Sequence, residues 1–187
     1  MAEYTLTPAP PLAGTDESFG ALRLTAPADL TIVNIALPLG GEAAALAAIK
    51  AGYGADLPEP GGSVLADGAR LVRLAPDQAF VLFTHAAPDG ERVVADKLGD
   101  AVYLTDQSDT WCALSLSGPG ARAALERICP IDLHPDAFAV GHAARTVMEH
   151  LGTIVLRTDA DSYLLLSASS SAGSFLHAVE TSCRNVS

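Results

Sequence analysis

Lysine is nearly absent from this chain. Only Lys50 and Lys97 carry it among 187 residues, against nine arginines. Protein interfaces favour arginine over lysine in this way; a GC-rich coding sequence, which also favours alanine, produces the same bias. Cysteine is scarce too. Cys112, Cys129 and Cys183 are odd in number and far apart, a spacing that suits neither a disulfide scaffold nor a zinc ribbon. Reduced thiols in the cytoplasm are the simplest expectation. No apolar run is long enough to cross a bilayer. Behind Met1-Ala2-Glu3-Tyr4 there is neither a basic region nor an apolar core, so no secretory leader and no membrane partner are expected. Positive charge is short overall: 11 basic against 22 acidic side chains leave a net charge of −11. Such a surface repels phosphate backbones, and nucleic acid is not an expected partner.

The motifs of common chemistries are missing as well. Leu116-Ser117-Gly118-Pro119-Gly120 has the glycines of a phosphate loop, but no lysine follows, the third glycine of a dinucleotide fingerprint is absent, and proline removes a donor. The stretch reads instead as a helix start, with Ser117 as N-cap and Pro119 near the first turn. No Gly-x-Ser-x-Gly elbow frames Ser115, Ser117 or Ser169 to Ser171. His134, His142 and His150 recur every eight residues, whereas helical metal sites use spacings of three or four. Asp106/Asp109 and Asp159/Asp161 fall in turns, where aspartate bonds nearby backbone N–H groups. Cys112 and Cys129 read as core thiols. Trp111, the single tryptophan, is either a core residue or an interface anchor.

What is present is alternation of short strands and helices. Residues 1–20 read as a poorly ordered arm, because Pro8, Pro10 and Pro11 forbid helix; it is either a solvated tail or a strap across a partner. Residues 21–187 read as one globular domain made of two α+β halves, about 21–106 and 107–187. In the first, a strand at 30–37 is followed by a helix at 41–51 stopped by Gly52, a Pro/Gly loop at 53–62, strands at 69–74 and 80–84, a helix at 90–98 capped by Asp89, and a strand at 101–105. In the second, a strand at 111–116 leads into the Ser117 helix, which Pro130 stops. Strands near 144–149, 153–158 and 162–168 follow, then a helix at 172–183 capped by Ser170 or Ser171. The pattern predicts an α+β fold of two successive ferredoxin-like units with mixed or antiparallel sheets.

Several stretches carry a resemblance. They are Ala75-Pro76-Asp77-Gln78-Ala79-Phe80-Val81-Leu82, Asp106-Gln107-Ser108 through Leu116-Ser117-Gly118-Pro119, and Asp132-Leu133-His134-Pro135 with Phe138 and Gly141, followed by the final three strands and their helix. Together they span most of residues 57–183. They resemble the gamma subunits of heterotetrameric sarcosine oxidase. The Leu-Ser-Gly-Pro helix start is shared with the wider aminomethyltransferase-like folate-binding group, and Asp-Leu-His-Pro is the more specific element.

The resemblance implies a small relative of the aminomethyltransferase folate-binding domain, in a complex with alpha, beta and delta subunits. That complex demethylates sarcosine oxidatively to glycine, releases hydrogen peroxide and passes the one-carbon unit to tetrahydrofolate. FAD, FMN, NAD, zinc and tetrahydrofolate are then expected on the larger assembly, with no cofactor, metal or catalytic residue on this chain. Trp111, His134, Pro135 and Phe138 are the residues nominated for the subunit interface. A stand-alone folate-binding or aminomethyltransferase-like protein is the alternative.

Overall fold

The structure, a computed structural model, describes residues 9–187; the sequence reading of residues 1–8 as part of an arm lies outside that range. Eleven strands and four α-helices follow in the order β1 (Asp16–Phe19), β2 (Leu22–Thr25), β3 (Leu30–Ala36), α1 (Glu42–Tyr53), β4 (Ser63–Ala66), β5 (Ala69–Ala75), β6 (Gln78–Thr84), α2 (Gly90–Leu98), β7 (Tyr103–Asp106), β8 (Trp111–Ser117), α3 (Ala121–Glu126), β9 (Ala143–Met148), β10 (Leu151–Asp159), β11 (Ser162–Ala168) and α4 (Ala172–Arg184). No helix among the described residues is long and apolar enough to cross a membrane.

Two antiparallel sheets form, ordered β4-β5-β6-β3-β7 and β1-β2-β8-β11-β10-β9. Strand periodicity of two sends alternate side chains to opposite faces, and here both faces are apolar. On β3, Val33 and Ile35 join a core with Ile49 of α1 and Val94 of α2, while Ile32 points the other way. On β8, Cys112, Leu114 and Leu116 pack with Leu125 of α3 and Phe175 of α4, while Trp111 and Ala113 point the other way. The residues pointing away from the helices meet each other: Ile32, Phe80 and Leu82 of the first sheet against Ile154, Leu156 and Leu166 of the second. The result is four layers, helices–sheet–sheet–helices, and a sheet covered on both sides carries near-continuous apolar strands.

Each half is built on a βαββαβ unit with one extra strand, β4 or β9, at the sheet edge. In the first, the strand order β7-β3-β6-β5 is complete from consecutive chain, with β4 added at the edge. In the second, the place beside β8 is filled by β2, with Thr25 opposite Ser115 and Arg23 opposite Ser117. The second unit therefore takes the strand that corresponds to β7 of the first from residues 22–25, and the expected division at 106/107 does not describe the sheets. The arm also ends earlier than expected. Leu12 is buried in the α3/α4 core, and β1 pairs with β2 through Asp16↔Thr25 to Phe19↔Leu22.

Gly118 makes that crossing feasible. Its φ is +109°, and a Cβ there would lie 2.1 Å from the carbonyl oxygen of Ala21. Ser117, expected as the helix cap, is instead the last residue of β8, its backbone committed to the ladder opposite Ser162. Gly120, at φ +98°, opens α3. Helix α1 continues past Gly52 and stops at Gly54, whose left-handed backbone donates to the carbonyl of Lys50. The loop expected at 53–62 is found at 54–62, and after it comes β4, a strand missing from the sequence reading.

Candidate docking surface

The loop between α3 and β9 is held from many sides. Asp132 Oδ1 accepts the His134 N–H at 2.8 Å. The His134 carbonyl accepts the N–H groups of Ala137 (2.9 Å) and Phe138 (2.8 Å). His134 Nδ1 accepts the Asp136 N–H at 3.3 Å. Proline and aspartate thus set a tight turn whose polar groups are used locally. Phe138 turns inward, edge-on to His142 with ring centroids 5.8 Å apart.

Arg157 of β10 fastens this turn from beneath. It is only 6% exposed, donates to the carbonyls of Phe138 at 2.8 Å and Ala160 at 2.6 Å, and lies over the Tyr163 ring. At the far end Gly141 donates to the Arg157 carbonyl at 2.8 Å and accepts the Ser63 N–H at 2.7 Å and Ser63 Oγ at 2.9 Å. Gly141 has φ +89° with the Ser63 carbonyl oxygen 3.2 Å from where a Cβ would stand. The loop therefore bridges β10 of one sheet and β4 of the other. It presents His134, Pro135 and Val140 to solvent, Val140 at 54% exposure. A fixed loop with an exposed tip binds with little ordering cost.

Trp111 lies elsewhere. It packs edge-on to Phe80, centroids 5.8 Å apart, in the layer between the sheets. Its register partner is Ala168, at the Thr153 end of β10, whereas Arg157 and the loop sit at the other end, four residues or about 13 Å along the strand. The structure does not bring Trp111 together with His134, Pro135 and Phe138. Its indole Nε1 is buried without a hydrogen-bond partner among the described residues. Beside it opens a cleft of about 440 Å³ edged by Leu30, Ile32, His85 and Asp106.

The remaining polar candidates hold backbone. Asp106 Oδ1 accepts the Ser108 N–H and Asp159 Oδ1 that of Ala160. No three His, Cys, Asp or Glu side chains converge as metal ligands among the described residues. All three cysteines are free and buried. Burial pushes the Cys183 thiol up to about 11, with Glu180 adding to it, and burial raises Cys112. Asp89, expected as a cap, makes no side-chain cap bond; its Oδ1 lies 2.6 Å from His85 Nε2 and its Oδ2 accepts from Arg92 at 2.8 Å. The His85 hydrogen bond, helped by Arg92, holds its carboxyl below the ordinary range.

Sequence reasoning missed a second groove, of about 450 Å³, between the end of α3, the β9–β10 turn and α4. Its residues come from three separate stretches, which explains why no local motif marked it. His150, one of the three histidines that recur every eight residues, is the one visible signal.

Residues 41–174 match the family described as GCVT N-terminal domain. Among curated relatives, the sarcosine oxidase subunit gamma of an Arthrobacter species is 35% identical over 64% of this chain and 60% of its own length, so the matched stretch falls short of two thirds of that relative. The sarcosine oxidase subunit gamma of Corynebacterium sp. (strain P-1) is 35% identical over 79% of this chain and 72% of its own length. Among solved structures, the heterotetrameric sarcosine oxidase from Corynebacterium sp. U-96, in complex with pyrrole 2-carboxylate, contains a chain with TM-score 0.78 and 25% identity, covering 96% of both chains. The aminomethyltransferase T of the glycine cleavage system from Bartonella henselae matches with TM-score 0.66 at 13% identity, over 85% of this chain and 45% of that one, which relates the fold alone. With the matched domain spanning most of its residues and these gamma subunits as relatives, the chain belongs to the sarcosine oxidase subunit gamma family.

Proposed function

We propose that this chain is a structural subunit, the gamma component of an assembly with alpha, beta and delta chains. That assembly oxidatively demethylates sarcosine to glycine, yields hydrogen peroxide and transfers the one-carbon unit to tetrahydrofolate. FAD, FMN, NAD, zinc and tetrahydrofolate belong on the companion chains, and the reaction takes place in the cytoplasm. The observation that carries this reading is the match over 96% of both chains to a member of a heterotetrameric sarcosine oxidase. Similarity that runs end to end favours the same place in an assembly over a shared domain put to another use.

The exposed tip of the α3–β9 loop, His134 and Pro135, is the proposed contact. Phe138 supports it from within the core, and Trp111 lines a separate cleft. Titrating the purified full chain with alpha and beta subunits tests the reading: co-elution with either supports it, and persistence as a free species in both titrations refutes it. His134→Ala is expected to weaken assembly by about tenfold, while the free chain keeps its melting temperature to within about 2 °C. The reverse pattern would make His134 a fold residue only.

A further inference from the structure

The groove between α3, the β9–β10 turn and α4 gathers hydrogen-bond donors on an otherwise acidic molecule. The chain carries a net charge of −11, yet the groove gathers Arg127, His150 and His177 against a single carboxylate, Glu149. None of those three donors has an ion-pair or hydrogen-bond partner among the described residues. The nearby acids on the same helices are already engaged: Glu126 faces Arg122 at 3.7 Å, and Glu180 pairs with Arg184 at 2.9 Å. Ile128, Leu151 and Ala178 add apolar surface to the same lining.

The turn is held in a costly conformation. Glu149 has φ +52°, a region that non-glycine residues seldom enter, and its N–H bonds the Ile128 carbonyl at 3.1 Å. That bond fixes His150 beside the end of α3. The donors thus sit on a braced framework, as a binding surface requires.

We propose that this groove is a docking site for an acidic segment of a companion subunit, whose carboxylates meet Arg127, His150 and His177. The inference rests on the structural-subunit reading above and names a second contact, separate from the His134 loop. Unpaired guanidinium and imidazole groups around an apolar floor suit a charged segment with an apolar residue among its acids. In a chain otherwise acidic, this face gives such a segment a defined place to land.

The test uses the full chain and the complex of its companions expressed without it. Their dissociation constant is measured at low and at high salt. The double variant Arg127→Glu/His177→Glu is expected to bind about thirtyfold or more weakly, and Arg127→Gln about tenfold. Arg127→Lys should retain most of the affinity, and Arg92→Glu, on a distant surface, all of it. Raising the salt should weaken the wild type and narrow its gap to Arg127→Gln. If the wild type assembles and both the double variant and Arg127→Gln assemble equally well, the groove is no docking site and the structural-subunit reading stands. The groove is equally ruled out as a docking site if the isolated chain takes inorganic phosphate at Arg127 while assembly is untouched. If the wild type itself does not assemble, both readings fall together.

Discussion

Arg157 shows how much structure one side chain can organise. Its guanidinium is buried, and its donors are spent on the carbonyls of Phe138 and Ala160. Replacing it with methionine keeps much of the packing and removes the donors. A buried carbonyl left without a partner costs about 1–3 kcal/mol, so Arg157→Met is expected to lose about 2–3 kcal/mol in urea unfolding and to loosen the loop above it. Asp89 gives a pH signature. Its carboxyl is held low by His85 first and Arg92 second. Its contribution is complete above the ordinary value of 3.8 and fades as pH falls through the lowered value. Asp89→Asn should therefore unfold at lower urea than the wild type near neutrality, with a gap that narrows on acidification. A gap that stays constant with pH would assign the loss to something other than the carboxylate's charge. The thiols give a third readout. With Cys183 pushed up to about 11 and all three cysteines buried, labelling of the native chain should run at least about a hundredfold slower than labelling in concentrated urea.

At the scale of elements, the point of interest is the borrowed strand. β2 completes the second sheet only because Gly118 lets the chain pass within contact distance of Ala21. Gly118→Ala is expected to cost about 3 kcal/mol or more, since it adds a clash to a strained φ. Gly152→Ala, with nothing within 4 Å of the added carbon, should change the melting temperature little. Element type was readable wherever periodicity ran long: β3, β6, β8 and α4 follow the pattern of their residues. Short pieces were read unevenly: β7, of four residues, overlaps the strand expected at 101–105, whereas β1, β2 and β4, also four residues each, were missed, and Asp-Glu-Ser-Phe has no strand composition. Sheet membership was illegible for a different reason. Leu22 and Leu24 are apolar at alternate positions, but only contacts about ninety residues away along the chain decide which sheet they join. The Asp-Leu-His-Pro turn was visible in its residues; the buried Arg157 that anchors it was not, because an arginine in a strand ordinarily faces water.

At the scale of the whole molecule, four layers leave the two helical faces and the loops to meet partners. The His134 tip and the donor-lined groove by α4 offer two surfaces, and a standard interface needs roughly 800 Å² on each side. A chain that contacts its companions through both should hold them more firmly than through either alone. Combining His134→Ala with Arg127→Gln is expected to cost the product of the two separate losses in affinity, because sites that share no partner add in free energy. Native mass spectrometry of the four chains expressed together tests the structural-subunit role most directly. One copy of this chain per copy of alpha, beta and delta is the expected result, with no turnover of sarcosine by the chain alone. A companion complex that forms and works fully while this chain stays free, or sarcosine turnover by the isolated chain, would contradict it.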